Sequence, residues 1–309
     1  MSLLVKKLAI FIAFTLFLSG CQQHTQDEKV VQYKQNKEEI EKLDILAIGN
    51  SDLYSGFNPM QLWHETGMTA FNAGAPMLNM KLSYEMMKLA FTYHSPKVLL
   101  LEVDMFFDKR EKAIEPEGYA YTAKKYCYPL LKNTSEWEKI KQEKFYNESR
   151  FPNRMLYGGF YYNNTVEPYY DGFSYMNQTK KKGIVSMTTQ YLPRMIELAK
   201  QNQCEVLFVW LPSQTTATSK RHQMVQKLAD QYEVPFIDFN TNQYNTNFSW
   251  LTDSRDAGNH LNYSGATKMT HFLGQYISQN YSIEDKRQSQ TYKQYNELYD
   301  EYMSYIQKQ

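Results

Sequence analysis

The chain has 309 residues, with 34 lysines and arginines against 33 aspartates and glutamates, and a net charge of +1 at pH 7. A nearly neutral chain gives no reason to expect nucleic acid as a partner. Three cysteines are too few for a disulfide scaffold, and no spacing of cysteines and histidines suits a metal. We therefore expect neither a metal nor another cofactor.

The N-terminus predicts where the protein resides. Lys6 and Lys7 precede an apolar stretch, Leu8 to Leu18, that is short for a membrane span. A small-residue cleavage site follows, directly before Cys21. This resembles a bacterial lipoprotein signal peptide over residues 1–20, which implies a lipid on Cys21 and an extracytoplasmic protein anchored to the cell membrane. A plain secretory signal or an N-terminal anchor is the alternative.

The pattern beyond the signal predicts one α/β domain. Residues 21–42 are polar and read as a tether, residues 43–283 alternate between strand-like and helix-like segments, and residues 284–309 predict a terminal helix. Such alternation favours a three-layer α/β/α, flavodoxin-like fold with a parallel sheet and right-handed crossovers. The predicted strands are 45–48, 69–71, 98–101, 206–211 and 235–239, and the predicted helices are 58–67, 78–93, 183–201, 218–232 and one capped by Ser264.

The alternation stops over residues 105–182, which predict an insertion. This segment holds eleven of the 26 tyrosines. Aromatic-rich irregular segments can line a site and stack on sugars or cover acyl chains, or they can pack a small core of their own. We expect Cys127, in this insertion, and Cys204, at the start of a strand, to be unpaired.

Two short segments carry the candidate chemistry. Gly49-Asn50-Ser51-Asp52 follows the first strand, and a block from Asp256 to Asn262 precedes the last core helix. Loops after parallel strands converge on one edge of the sheet, so Ser51 and His260 are expected to meet there. Serine needs a base, and the base needs an acid to orient it. The alternative for Ser51 is a simple turn, because all four residues of its block form turns.

Other residues complete the candidate site. Asp256 and Asp253 both precede the histidine closely enough to orient it, and we favour Asp256. The backbone N–H groups of Ser51 and Gly74 are the natural donors to an oxyanion. Asn72 or Asn79 could add an amide.

Taken together, three blocks resemble the SGNH (GDSL-like) hydrolase superfamily: Gly49-Asn50-Ser51-Asp52, Asn72-Ala73-Gly74, and Asp256 with His260 to Ala266. The closest likeness is to the extracytoplasmic branch related to the D-alanyl-lipoteichoic acid transfer protein, whose members work beside membrane-bound O-acyltransferases on cell-envelope polymers. The resemblance covers roughly residues 43–280. It implies Ser51 as nucleophile, Gly74 as an oxyanion donor and His260 as base.

Two positions depart from the family pattern. The family acid stands three residues before the histidine, where this chain has Ala257, and Asp256 is one residue further back. The family's third oxyanion donor is an asparagine after the third strand, where this chain has Glu102-Val103-Asp104. An ionised carboxylate only accepts hydrogen bonds. Asp104 therefore holds a substrate amine or hydroxyl, or the oxyanion hole uses two donors, or hydrolysis is weak or absent.

These observations predict an SGNH-type esterase or O-acyltransferase that acts on a cell-envelope polysaccharide or teichoic-acid-like polymer through an acyl-Ser51 intermediate. The alternative from another class is a non-catalytic accessory lipoprotein that assists a membrane O-acyltransferase. A secreted lipase-like enzyme is a third reading, disfavoured by the lipid tether.

Overall fold

A computed structural model of the chain describes residues 42–108, 118–131, 134, 157–179, 183–241 and 243–309. The predictions for the signal peptide, for Cys21 and for the tether as far as residue 41 lie outside the described residues, as do parts of the 105–182 insertion. Each helix among the described residues falls short of the length or the apolarity needed to cross a membrane.

The described part of the chain forms one five-stranded parallel sheet in the order β2-β1-β3-β4-β5. This is the doubly wound, flavodoxin-like order, in which the direction of winding reverses beside the first strand. The predicted fold class is confirmed. The strands are β1 (Ile45–Ile48), β2 (Ala70–Asn72), β3 (Val98–Glu102), β4 (Glu205–Trp210) and β5 (Phe236–Asp238).

The helices mostly match the predicted segments, and their caps explain where they begin and end. The Asn58 side chain accepts the N–H groups of Met60 and Gln61, and Gly67 ends that helix in a left-handed conformation at φ 71°. The helices are α1 (Ser51–Gly56), α2 (Pro59–Thr66), α3 (Met80–Tyr93), α4 (Tyr119–Cys127), α5 (Ser186–Gln201), α6 (Ser219–Tyr232), α7 (Tyr263–Asn280) and α8 (Lys293–Ile306).

One predicted cap is wrong. Helix α7 begins one residue before Ser264, and the capping side chain is that of Asn262, which accepts the N–H of Gly265 at 3.0 Å. The Ser264 hydroxyl instead donates to Asp253 at 2.8 Å. Asparagine caps a helix as well as serine does, so the sequence alone left the choice between the two open.

The strands bury side chains on both faces of the sheet, which gives three layers. Side chains alternate along each strand, so Leu46 and Leu99 point to one side and Ile45 and Val98 to the other. Helices α3, α5 and α6 cover the first side, and α1, α2 and α7 cover the second. Fully buried parallel strands of this kind read as short apolar runs, as predicted.

Part of the insertion runs along the edge of the sheet where the candidate site lies. The Tyr161 N–H bonds to the Tyr54 carbonyl at 2.8 Å, and the Glu167 N–H bonds to the Ser254 carbonyl at 2.9 Å. Several of its aromatic rings pack around Trp250, whereas Tyr170 is 80 % exposed. The described tyrosines therefore include both packed and exposed rings.

The C-terminal helix α8 packs against α2. Tyr302 is buried and its hydroxyl accepts from the Asn58 side chain at 2.9 Å. The indole of Trp63 donates to Asn296 at 3.0 Å. Cys127 and Cys204 are both buried and free, as expected, and burial raises the pKa of Cys204 to about 12.

Candidate active site

Ser51 is placed by the sharp turn between β1 and α1. It is the first residue of α1, and the Asn50 side chain caps that helix by accepting the Asp52 N–H at 2.9 Å. A Cβ on Gly49 would lie 2.5 Å from the Cβ of Glu102, so the turn can approach β3 this closely only with glycine. The serine therefore lies at the carboxyl edge of the sheet.

His260 is held by the loop that precedes α7. Its carbonyl accepts the Arg255 N–H at 3.2 Å, which folds the loop back on itself. Gly258 has φ 91°, and a Cβ there would lie 2.6 Å from the Gln214 side chain and 3.0 Å from Tyr169. This glycine lets the loop pack against the β4 loop and the insertion together.

The two segments meet as the sequence predicts. His260 Nε2 lies 2.8 Å from Ser51 Oγ, and His260 Nδ1 lies 2.6 Å from Asp256 Oδ2. The other carboxylate oxygen of Asp256 accepts the backbone N–H of His260 at 2.6 Å. This is a Ser-His-Asp triad. Asp256 lies one residue further from the histidine than the family pattern has its acid. It still reaches the imidazole ring, because the same carboxylate bonds both the ring and the backbone N–H of His260.

The electrostatics of Asp256 suit an orienting acid. Burial by itself raises the pKa of this carboxyl, but the hydrogen bonds and the charge of His260, with the charge of Arg255, outweigh burial and leave the pKa below its usual value. An ionised carboxylate beside Nδ1 favours the tautomer that leaves Nε2 free to accept the serine proton.

The other candidate acid, Asp253, lies outside the triad. Its fully buried carboxylate forms an ion pair with Lys268 at 2.7 Å and accepts the Ser249 N–H at 2.7 Å and the Ser264 hydroxyl at 2.8 Å. These contacts tie the start of the loop to α7. The His260 ring therefore has Asp256 as its acidic partner, and the contacts of Asp253 are structural.

The predicted oxyanion donors differ in the hydrogen bonds that they already form within the protein. Asn72 is fully buried, and its amide nitrogen donates to the carbonyls of Leu53 and Phe57 at 2.9 and 2.8 Å. Both amide hydrogens of Asn72 are therefore engaged by backbone carbonyls, and its contact with a substrate stays a prediction. The Gly74 N–H donates to Asn72 Oδ1 at 3.0 Å. The donor roles of Ser51 and Gly74 stay predictions.

The Asn79 side chain is also engaged in local structure. It caps α3 by accepting the Leu82 N–H at 3.0 Å. Asn72 and Asn79 show a common limit of sequence reasoning, because an asparagine next to a strand end or a helix start serves the backbone as readily as it serves a ligand.

Three buried carboxyl groups lie beneath the nucleophile. Burial raises the pKa of Asp52 and of Glu102 well above their usual values. The nearby Asp104 raises both further, as does Asp256 for Asp52 and Asp52 for Glu102. Burial also raises the pKa of Asp104, against the opposing charge of Arg221. The raised pKa values favour the neutral forms of these groups, which place less negative charge near Ser51 than the ionised forms do.

Asp104 has a partner that sequence reasoning missed. Its carboxylate accepts a hydrogen bond from the Asn50 side chain, next to the candidate nucleophile. The sequence suggested a substrate contact, a two-donor oxyanion hole or weak activity, and an internal partner for Asp104 was not among these alternatives. The sequence signal was that each residue lies two positions after the end of one of two neighbouring strands.

Arg255 is a second residue that the sequence did not single out. Its side chain is 10 % exposed, its Nε lies 4.0 Å from Asp256 Oδ2, and its guanidinium lies 4.8 Å from the ring centre of Tyr161. It lowers the pKa of both Asp256 and Asp52 by its charge.

Among the described residues, no cluster of three or more His, Cys, Asp or Glu side chains could hold a metal.

No protein-family model matches the chain, and no curated protein matches it in sequence. Its structural neighbours are GDSL-type lipases and esterases. A GDSL-like lipase from Bacteroides thetaiotaomicron is 12% identical with a TM-score of 0.41, covering 81% of this chain and 97% of that one. The family 3 carbohydrate esterase of Clostridium thermocellum is 10% identical with a TM-score of 0.37, covering 77% and 96%. These likenesses concern the general arrangement of strands and helices alone.

Proposed function

We propose that the protein catalyses ester hydrolysis or acyl transfer with Ser51 as nucleophile. The observation that carries this proposal is the continuous hydrogen-bonded chain from Ser51 Oγ through His260 to Asp256, with distances of 2.8 and 2.6 Å. A hydroxyl becomes a useful nucleophile when a base in contact with it can take its proton.

The proposed reaction has two steps. Ser51 Oγ attacks the ester carbonyl while its proton moves to His260 Nε2, and the leaving alcohol then takes that proton as the acyl-serine ester forms. In the second step, His260 removes a proton from water or from an acceptor hydroxyl, whose oxygen attacks the acyl group. The bond between the acyl carbon and Ser51 Oγ then breaks, and His260 returns the proton to Ser51 Oγ. Asp256 stabilises the imidazolium that forms in both steps.

The proposed substrate is an O-acylated cell-envelope polysaccharide or a teichoic-acid-like polymer. The protein is proposed to reach it while anchored by lipid on Cys21 to the outer face of the cell membrane. The support comes from the signal-like N-terminus and from the SGNH-type motif blocks. Two or three acyl chains suffice for stable anchoring, because each buried CH₂ contributes about 0.8 kcal/mol. A membrane O-acyltransferase is the proposed partner.

Labelling with a fluorophosphonate probe tests the nucleophile. The unaltered chain should label, whereas Ser51→Ala and His260→Ala should not. Two control variants should label normally. Ser95→Ala changes an exposed serine, and His222→Ala changes a second described histidine whose Nδ1 lies 2.7 Å from an aspartate oxygen, Asp238 Oδ2. A folded protein that does not label would favour the accessory role.

Two further assays test the finer proposals. Acetylated polymer incubated with and without an excess of a polyol separates the reactions, because a transferase acylates the polyol and a hydrolase releases acetate in both cases. Palmitate incorporation into the full chain and its Cys21→Ala variant tests the anchor. Label on both proteins, or on neither, would contradict lipidation at Cys21.

A further inference from the structure

The turn that carries Ser51 is fixed to the end of β3 by side-chain hydrogen bonds. Asn50 uses both ends of its amide: the oxygen accepts the Asp52 N–H at 2.9 Å, and the nitrogen donates to Asp104. Because the oxygen is committed to the helix cap, the nitrogen must face Asp104. The Asp104 N–H in turn donates to Glu102 Oε1 at 3.1 Å.

Asp104 is firmly placed by its surroundings. It is buried, and the Arg221 guanidinium on α6 is the cation near it. Arg221 is itself fixed, since it donates to the Thr216 carbonyl at 2.7 Å and lies 4.3 Å from the ring centre of Phe107. A carboxylate held this way is a rigid acceptor for the Asn50 amide.

We propose that Asp104 is a positioning residue that acts through Asn50 to orient Ser51 toward His260. Asn50 directly precedes the serine, so the orientation of its side chain fixes the start of α1 and the direction of Ser51 Oγ. This role occupies the position at which the family pattern has an oxyanion donor. The inference rests on the proposed function, because it assigns the residue that positions that function's nucleophile.

A reversal of the hydrogen bond tests this role directly. Asn50→Asp keeps the cap oxygen but sets a second carboxylate against Asp104, and the double variant Asn50→Asp with Asp104→Asn restores one donor and one acceptor in the opposite sense. At pH 9, which disfavours a proton shared by the two carboxyls, Asn50→Asp should label with the fluorophosphonate about 100-fold more slowly, since a misplacement of 1 Å costs about that factor. The double variant should recover at least about tenfold of this loss.

Two single variants complement the double variant. Asp104→Leu removes the acceptor at similar size and should slow labelling at least about tenfold, mainly through kcat rather than KM in an ester assay. Asn58→Asp is the matched control, because Asn58 is an equally buried cap of the next helix whose amide donates to the neutral Tyr302 hydroxyl. It should label at the rate of the unaltered chain.

The ring nitrogen NMR shifts of His260 provide a readout that needs no turnover, since they report the hydrogen bond to Ser51 Oγ. Asn50→Asp and Asp104→Leu should move these shifts toward those of Ser51→Ala, and the double variant should move them back. A double variant that resembles Asn50→Asp, or an Asp104→Leu protein with unaltered shifts and labelling rate, overturns the positioning role. An unaltered chain that never labels refutes the proposed function instead, and the NMR comparison still decides the role of Asp104.

Discussion

Replacement of Asp256 by asparagine should remove the proposed activity while leaving the fold intact. The His260 backbone N–H bonds to one carboxylate oxygen at 2.6 Å, and in the variant this N–H keeps the amide oxygen on its side. The amide nitrogen then faces His260 Nδ1, where the carboxylate oxygen had been at 2.6 Å. Two donors cannot share that contact, so the ring takes the tautomer with its hydrogen on Nε2.

A protonated Nε2 cannot accept the serine proton, and the expected size of the loss follows from that. The wrong tautomer in a serine triad costs about 10⁴-fold in kcat. At 1.36 kcal/mol for each factor of ten, this is about 5 kcal/mol of barrier. The assay is the rate of ester cleavage at pH 7.5, with the urea midpoint of each protein measured in parallel.

Asp253→Asn is the matched control because it makes the same exchange three residues earlier. Its carboxylate is fully buried against Lys268, which is 27 % exposed, so its loss should cost about 2–3 kcal/mol of stability, toward the low end for a broken buried pair. Its cleavage rate should stay within about threefold, since its contacts stop short of the triad. The assignment of the acid is refuted if Asp253→Asn loses the rate and Asp256→Asn keeps more than a tenth of it.

Three further variants test the structure around the triad. Asn72→Ala removes three buried hydrogen bonds and should lower the free energy of unfolding in urea by about 3 kcal/mol, whereas a role limited to substrate binding would leave it unchanged. Tyr302→Phe removes the hydroxyl that accepts from Asn58, the cap of α2, and should lower the free energy of unfolding by about 1 kcal/mol in the same assay. No change would mean that this hydrogen bond contributes nothing to stability. Glu102→Gln tests the raised pKa of Glu102. Because Glu102 binds its proton more tightly in the folded protein than in the unfolded chain, the stability that this proton contributes is lost as the pH rises. The Tm of the variant relative to that of the unaltered chain should therefore increase from pH 5 to pH 9. A constant difference in Tm would show that the pKa of Glu102 is not raised.

The sheet and the meeting of Ser51 with His260 were predictable because they depend on local patterns. Apolar runs ending in small residues mark buried parallel strands, and strand ends in such a sheet share one edge. The loop position of His260 before a capped helix distinguished it from the histidines on helices, such as His222. These signals need no knowledge of long-range contacts.

Helix α1 and the hydrogen-bond partners of the asparagines and aspartates in the site could not be predicted, because they depend on tertiary contacts. The six residues Ser51–Gly56 are too few for a periodic pattern, and the helix persists because its apolar face packs on the sheet. Whether Asn72 bonds a backbone carbonyl or a ligand depends on residues 15 to 19 positions away. The partner of Asp253 is likewise Lys268, 15 residues away in the sequence.

The buried acids beneath Ser51 bear on the main objection to catalysis, the carboxyl groups close to the proposed nucleophile. An ionised carboxylate about 5 Å from a developing oxyanion would cost about 3 kcal/mol at an effective dielectric of 20, or a factor of about 100 in rate. Burial raises the pKa of Asp52, Glu102 and Asp104, which favours the protonated forms of these groups. Asp256, by contrast, keeps a lowered pKa through its bonds to His260. The site therefore separates its acids by environment: the carboxylate that must be charged contacts the imidazole, and those that would oppose the oxyanion are buried where protonation is favoured.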